Sequence, residues 1–203
     1  MKIICIGRNY VDHARELNNE VPTSPVFFMK PDSALVTGNR PFFYPDFSSN
    51  VQHELEVVIR IDRLGRSIEE KYAGRYFSEI ALGIDFTARD LQNEMKDKGL
   101  PWEISKAFDY SAPVSGFHPV SNYPDMHHLA FRLDLNGKTV QEGNTGLMIF
   151  TFEKIIAYVS RFVTLKTGDM IFTGTPAGVG PVQVNDRLEA YLEGQKLMDF
   201  LVK

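Results

Sequence analysis

The segment Gln52-His53-Glu54-Leu55-Glu56-Val57-Val58-Ile59 constrains this chain more than any other. It reads as a β-strand, and strand side chains alternate faces with period two. Glu54 and Glu56 therefore share one face, while Leu55, Val57, Ile59 and Ile61 share the other and point into a core. Two carboxylates side by side on a largely apolar strand cost stability unless something neutralises them. A divalent cation is the simplest neutraliser. A solvent-facing acidic strand edge is the plain alternative, because exposed Glu on strands is common.

A chain of 203 residues is long enough for one compact domain, expected to span 1–203, with a real core. Its composition is that of a soluble globular protein. A net charge of −4 without any basic stripe argues against a nucleic-acid partner. No apolar run approaches a membrane span. The apolar stretch in Met1–Gly7 is short for a secretion signal and reads as a first strand. Cys5 lies in it as the single cysteine, so no intrachain disulfide is available. A small buried hydrophobe in a reducing compartment, the cytoplasm, is the expectation.

The pattern along the chain is strand-rich. Tyr10 to Leu17 reads as a short helix, Val26 to Met29 as a strand, Leu55 to Ile61 as the acidic strand and Glu69 to Phe77 as a helix. Ile80, Ala81, Leu82 and Ile84 leave little room for a wet face, so Glu79 to Asp85 is a buried strand. Thr87 is placed to cap a helix over Ala88 to Lys98, with Gly99 closing it. Asn136-Gly137 predicts a hairpin joining Phe131–Leu135 to Thr139–Glu142. Phe152, Ile155, Ile156, Val159 and Phe162 follow helical spacing, which predicts an amphipathic helix over Thr151 to Phe162. Met170 to Thr173, Arg187 to Leu192 and Lys196 to Val202 are further strands. Helices are few and do not alternate regularly with strands, so the fold class is a mostly-β α+β domain rather than a doubly wound or barrel α/β fold.

Three clusters offer chemistry. Glu54 and Glu56 need a third ligand, and Asp85, ending the buried strand, is the natural candidate. Three carboxylates without cysteine make a hard-oxygen site, suited to Mg²⁺, Mn²⁺ or Ca²⁺ rather than zinc. His13 and Glu16 are three apart and share a helix face. A carboxylate beside an imidazole orients it and raises its basicity, as a general base requires, although a surface ion pair has the same spacing. The glycines of Thr173-Gly174-Thr175-Pro176-Ala177-Gly178-Val179-Gly180 allow backbone N–H groups to converge on an anion, or simply make a tight turn. Lys106 could pair with a substrate carboxylate or be an ordinary solvated lysine. His53 and His118 show no ligating pattern.

Taken in order, Gly7-Arg8-Asn9-Tyr10, His53-Glu54-Leu55-Glu56, Asp85 with Thr87-Ala88-Arg89-Asp90, Lys98-Gly99-Leu100-Pro101-Trp102, Gln141-Glu142-Gly143 and the glycine-rich segment resemble the fumarylacetoacetate hydrolase family. The resemblance runs from Gly7 to about Val202 and is nearest to the short, single-domain acylpyruvase and oxaloacetate decarboxylase branch. It implies a layered, mostly-β fold, usually dimeric, with Mg²⁺ or Mn²⁺ held by Glu54, Glu56 and Asp85. It implies that His13 and Glu16 form a catalytic pair on a lid of about residues 8–19. Lys106 would stabilise the departing enolate. Arg8, Tyr10, Arg89, Gln92 and Thr175 would bind substrate, a small dicarboxylic or oxo acid. The implied reaction is metal-dependent hydrolysis of C–C bonds in acylpyruvates, with oxaloacetate decarboxylation from the same electron sink. Isomerisation or hydration of unsaturated diacids is the alternative within the family, and a cation-stabilised binding domain the alternative outside it.

Overall fold

The computed structural model describes residues 1–16 and 20–203. Its strands are β1 (Ile3–Gly7), β2 (Val26–Lys30), β3 (Leu35–Val36), β4 (Val51–His53), β5 (Leu55–Ile61), β6 (Phe77–Ile84), β7 (Thr87–Ala88), β8 (Ala112–Pro113), β9 (His118–Pro119), β10 (Ala130–Leu135), β11 (Lys138–Asn144), β12 (Met170–Phe172), β13 (Gly180–Pro181), β14 (Arg187–Leu192) and β15 (Gln195–Leu201). The helices are α1 (Val11–Glu16), α2 (Glu70–Ala73), α3 (Arg89–Lys98), α4 (Glu103–Lys106) and α5 (Phe152–Phe162). The chain is a mostly-β α+β fold with short helices, as its composition of elements predicts.

A six-stranded sheet, ordered β2-β1-β12-β5-β6-β9, forms the centre. It is antiparallel except where β1 runs parallel to β12. Period-two alternation sends Ile4, Ile6, Leu55, Val57, Ile59 and Ile61 to one face. There they pack against the apolar stripe of α5 (Phe152, Ile155, Ile156, Val159) and the inner face of the second sheet, β11-β10-β14-β15. Ile3, Cys5, Val58, Ala81 and Phe172 point the other way into a smaller cluster. Gly83 belongs to this tight side: a Cβ there would lie 2.5 Å from the Phe172 ring. Both faces of β5 are thus covered, which excludes a solvent-facing acidic edge.

Several boundaries differ from expectation. The helix predicted over Glu69 to Phe77 ends at Ala73, and Phe77 already opens β6 because its ring belongs to the main core. Thr87 does not cap α3; it lies in β7, and its hydroxyl donates to the Asp85 carbonyl (3.3 Å). Gly99 closes α3 in the left-handed conformation (φ 63°), as predicted. Asn136 and Gly137 both take positive φ in the β10–β11 turn, and the Thr151 hydroxyl caps α5. The first helix spans Val11–Glu16; Leu17, with which its predicted span ends, lies outside the described residues.

Candidate metal centre and substrate pocket

Strand register builds the acid site. β5 pairs with β6 so that Leu55 faces Ile84 and Glu56 faces Gly83. One step further, the Asp85 N–H donates to the Glu54 carbonyl (2.8 Å), which sets Asp85 beside the two glutamates. Glu54 itself falls in the break between β4 and β5. One carboxylate oxygen from each of Glu54, Glu56 and Asp85 lies within 4.8 Å of the others, and all three residues are buried. Hard oxygens at this spacing fit a divalent cation. Asp85 Oδ1 fits one as well: Lys30 Nζ is 2.8 Å away, but off any hydrogen-bonding angle, and among the described residues no donor satisfies this buried oxygen.

The charges around the triad are uneven. Lys106 Nζ donates to Glu54 Oε2 (2.8 Å) and Asp85 Oδ2 (2.7 Å), leaving one of its three N–H groups for a ligand. Arg89 donates to Glu54 Oε1 (2.5 Å), Gln92 Oε1 (2.5 Å) and Gln52 Oε1 (2.8 Å). Burial pushes the Glu54 carboxyl up, but Lys106 and Arg89 outweigh it and hold the group well below the usual carboxylate range. Glu56 lacks such a partner. Burial, with Asp85 and Glu54 adding to it, raises its carboxyl well above the ordinary value, against one hydrogen bond from Gly174 N (2.6 Å). Burial lowers the Lys106 ammonium, yet Asp85 and Glu54 raise it further, so it stays charged.

Lys30 was not singled out by any sequence pattern. Its ammonium is fully buried among the carbonyls of Phe86, Lys106 and Ser111 and the Ser111 hydroxyl. An interior lysine in an otherwise strand-like segment leaves no signal until the fold brings those oxygens around it.

His13 is 5% exposed, which rules out the surface ion pair. Its Nδ1 lies 3.3 Å from Glu16 Oε2, while Glu16 Oε1 accepts from Gly178 N (3.0 Å). Burial lowers the imidazole pKa, against Glu54 and Glu16 which raise it, so the ring is a neutral base near pH 7. The glycine segment does bind anions through backbone N–H groups, and these anions are the protein's own carboxylates, Glu56 and Glu16. Asn9, fully buried, ties the start of this region down: it donates to the carbonyls of Phe150 and Thr173 and accepts from Phe150 N. Gly7 closes β1, and the left-handed turn expected of a glycine falls on Arg8 (φ 60°).

One cavity gathers most of the expected residues: Arg8, His13, Glu54, Glu56, Asp85, Arg89, Gln92, Lys106 and Thr175. Glu16 stands behind His13. Lys96, Trp102 and Phe28 line it as well without having been expected there, beside Ile6 and Gly7 at the end of β1. Tyr10, expected to bind substrate, does not line this cavity; it packs edge-on against Phe131 in the main core, with a buried hydroxyl lacking a partner among the described residues. His53 is also buried, hydrogen-bonded through Nδ1 to Gln141 Oε1 (2.9 Å).

A buried carboxylate triad at one end of a mixed sheet, under a cationic rim, is the donor set of a divalent-metal site. The model for the Fumarylacetoacetate (FAA) hydrolase C-terminal domain matches residues 2–200, and the chain belongs to the fumarylacetoacetate hydrolase family. It is 46% identical over 201 residues to the mitochondrial oxaloacetate tautomerase FAHD1 of Homo sapiens, covering 99% of this chain and 91% of that protein. It is 43% identical to the mitochondrial oxaloacetate decarboxylase of Dictyostelium discoideum, covering 95% and 89%. The structure of fumarylpyruvate hydrolase from Pseudomonas aeruginosa in complex with Mn²⁺ and pyruvate superposes with a TM-score of 0.95 at 36% identity, covering 100% of this chain and 89% of that one. Among the described residues, no helix is long and apolar enough to cross a membrane.

Proposed function

We infer that this protein is a divalent-metal-dependent enzyme that moves protons and breaks bonds through the enol of the pyruvyl half of oxaloacetate and acylpyruvates. The observation that carries the reading is the acid triad set under Arg8, Arg89, Lys96 and Lys106 in one cavity. Three buried carboxylates face three buried cations, Lys30, Arg89 and Lys106, so a bound Mg²⁺ or Mn²⁺ leaves an excess of two positive charges. That excess suits a dianionic acid.

Glu54, Glu56 and Asp85 would hold the ion. When bound, it supplies a chelation point for a 2-oxo acid and Lewis-acid polarisation of its carbonyl. Neutral His13, oriented by Glu16, accepts a proton from the carbon next to the carbonyl, or from a water in hydrolysis. The free N–H of Lys106 steadies the enolate oxygen. Arg89, Gln92, Thr175 and Arg8 bind the carboxylates. Helix α1 covers the cavity, and in this reading residues 8–16 act as a lid; residues 17–19 of the expected lid lie outside the described residues.

Oxaloacetate is placed first as substrate because relatives at 43–46% identity carry names for its tautomerisation and decarboxylation. The His13–Glu16 pair favours acylpyruvate hydrolysis as a second reaction of the same site, since that reaction needs an activated water. A homodimer in a reducing, cytoplasmic setting belongs to the same reading. The test is a substrate panel of enol-oxaloacetate, oxaloacetate and acetylpyruvate, each with Mg²⁺ or Mn²⁺ and again with chelator. Metal-dependent turnover of at least one is expected; turnover of none, or turnover indifferent to chelator, refutes the reading.

A further inference from the structure

Gln141, on β11 of the four-stranded sheet, is 1% exposed and reaches across to the acid site. All four hydrogen-bonding positions of its carboxamide are filled. Oε1 accepts from His53 Nδ1 (2.9 Å) and from Leu55 N (2.9 Å), the residue between the two glutamates. Nε2 donates to Thr175 Oγ1 (2.8 Å) and to the Pro176 carbonyl (3.0 Å). The orientation of the amide follows from its partners, because a main-chain N–H only donates and a carbonyl only accepts.

Two consequences follow. His53 must carry its proton on Nδ1. The Thr175 hydroxyl is an acceptor toward Gln141, so its own proton has to point elsewhere. Among the described residues no protein acceptor takes that proton, and Thr175 lines the cavity beside His13 and the triad. We propose that Gln141 is a positioning residue that commits the Thr175 hydroxyl to donate to an anionic oxygen of the bound acid, while its other end holds the backbone between Glu54 and Glu56. The assignment rests on the oxo-acid reading of the cavity.

Calorimetry tests it, first with Mn²⁺ and then with oxalate added to the Mn²⁺-loaded chain. Thr175→Val should weaken oxalate by about 10- to 100-fold, the value of a hydrogen bond to a charged group. Thr175→Ser should keep it, and Mn²⁺ affinity should not weaken in either. In Gln141→Glu the carboxylate still accepts from His53 and Leu55, but it also accepts from Thr175 and turns the hydroxyl away from the cavity. It should weaken oxalate as much as Thr175→Val does, and the double variant should lose no more. Wild-type oxalate affinity in Gln141→Glu, or full additivity in the double variant, overturns the proposal. If Gln141→Glu fails to fold, equal oxalate affinity in Thr175→Val and Thr175→Ser overturns it. Oxalate that does not bind the wild-type chain refutes the oxo-acid reading and the assignment together, whereas binding that ignores these substitutions refutes the assignment alone.

Discussion

Replacing Lys30 with methionine tests whether the acid site depends on a permanently buried ammonium. Methionine is close to lysine in length and leaves little cavity, so the change isolates the charge. Removing one partner of a buried ion pair typically costs about 3–5 kcal/mol, because the other charge is left uncompensated. Two features adjust that figure here. Asp85 keeps Lys106 at 2.7 Å, which tempers the loss of Coulomb energy. The Lys106 carbonyl also keeps a donor in the Ser111 hydroxyl (3.0 Å). The Ser111 carbonyl likewise keeps Phe86 N (2.9 Å), but the Phe86 carbonyl loses its ammonium donor in the interior, and an unsatisfied buried acceptor costs about 1–3 kcal/mol. A net loss of about 3–5 kcal/mol is expected, which at roughly 2–4 °C per kcal/mol for a chain this size is a fall in Tm of about 6–20 °C. Thermal unfolding followed by circular dichroism, in chelator so that metal linkage does not contribute, is the assay. A fall below about 3 °C would refute the argument that the Lys30 charge is needed to fold the site.

His13→Ala should lower acylpyruvate hydrolysis by about 10²–10⁴-fold and leave much of any oxaloacetate decarboxylation, since only the first needs an activated water; equal loss of both in steady-state assays would give His13 another role. Burial, with Asp85 and Glu54 adding to it, raises the Glu56 carboxyl in the metal-free fold, so the stability it contributes is present in full below the ordinary carboxylate range and is lost as pH rises through its raised value. Mn²⁺ binding should therefore release protons at a pH between the ordinary carboxylate range and that raised value, read by titration calorimetry across pH in buffers of different ionisation enthalpy; heats that do not vary with buffer at any pH would contradict the assignment. Gly178→Ala should unlatch Glu16, because the added Cβ would meet the Val140 carbonyl at 2.2 Å at a φ of +97°. Hydrolysis should fall, whereas Gly168→Ala, with φ +88° and nothing within 4 Å, controls for backbone strain alone. Amide exchange over Arg8–Glu16 should slow when oxalate and Mn²⁺ are added; protection already high in the free chain and unchanged by ligand would exclude a lid.

Much of this molecule follows from local pattern. Alternation in Leu55–Ile61 decides which side of β5 carries Glu56, the 3.6-residue stripe decides the face of α5, and Asn136-Gly137 decides the β10–β11 turn. These are short-range preferences, carried by the residues themselves. The family resemblance supplied Arg89 and Gln92, and gave roles to Asp85, Lys106 and Thr175 that spacing alone leaves undecided. Tertiary structure decided the rest. Tyr10 sits in a motif that leads into the site, yet its ring is taken by the core beside Phe131. Thr87 has the chemistry of a helix cap, but pairing of β7 with β4 claims its backbone first. Lys30, Asn9 and Gln141 matter through partners 34 to 164 residues away in sequence, and no local period records such pairings. A buried polar group is satisfied by whatever oxygens and N–H groups the fold brings around it. Its role therefore exists only once the sheets have packed.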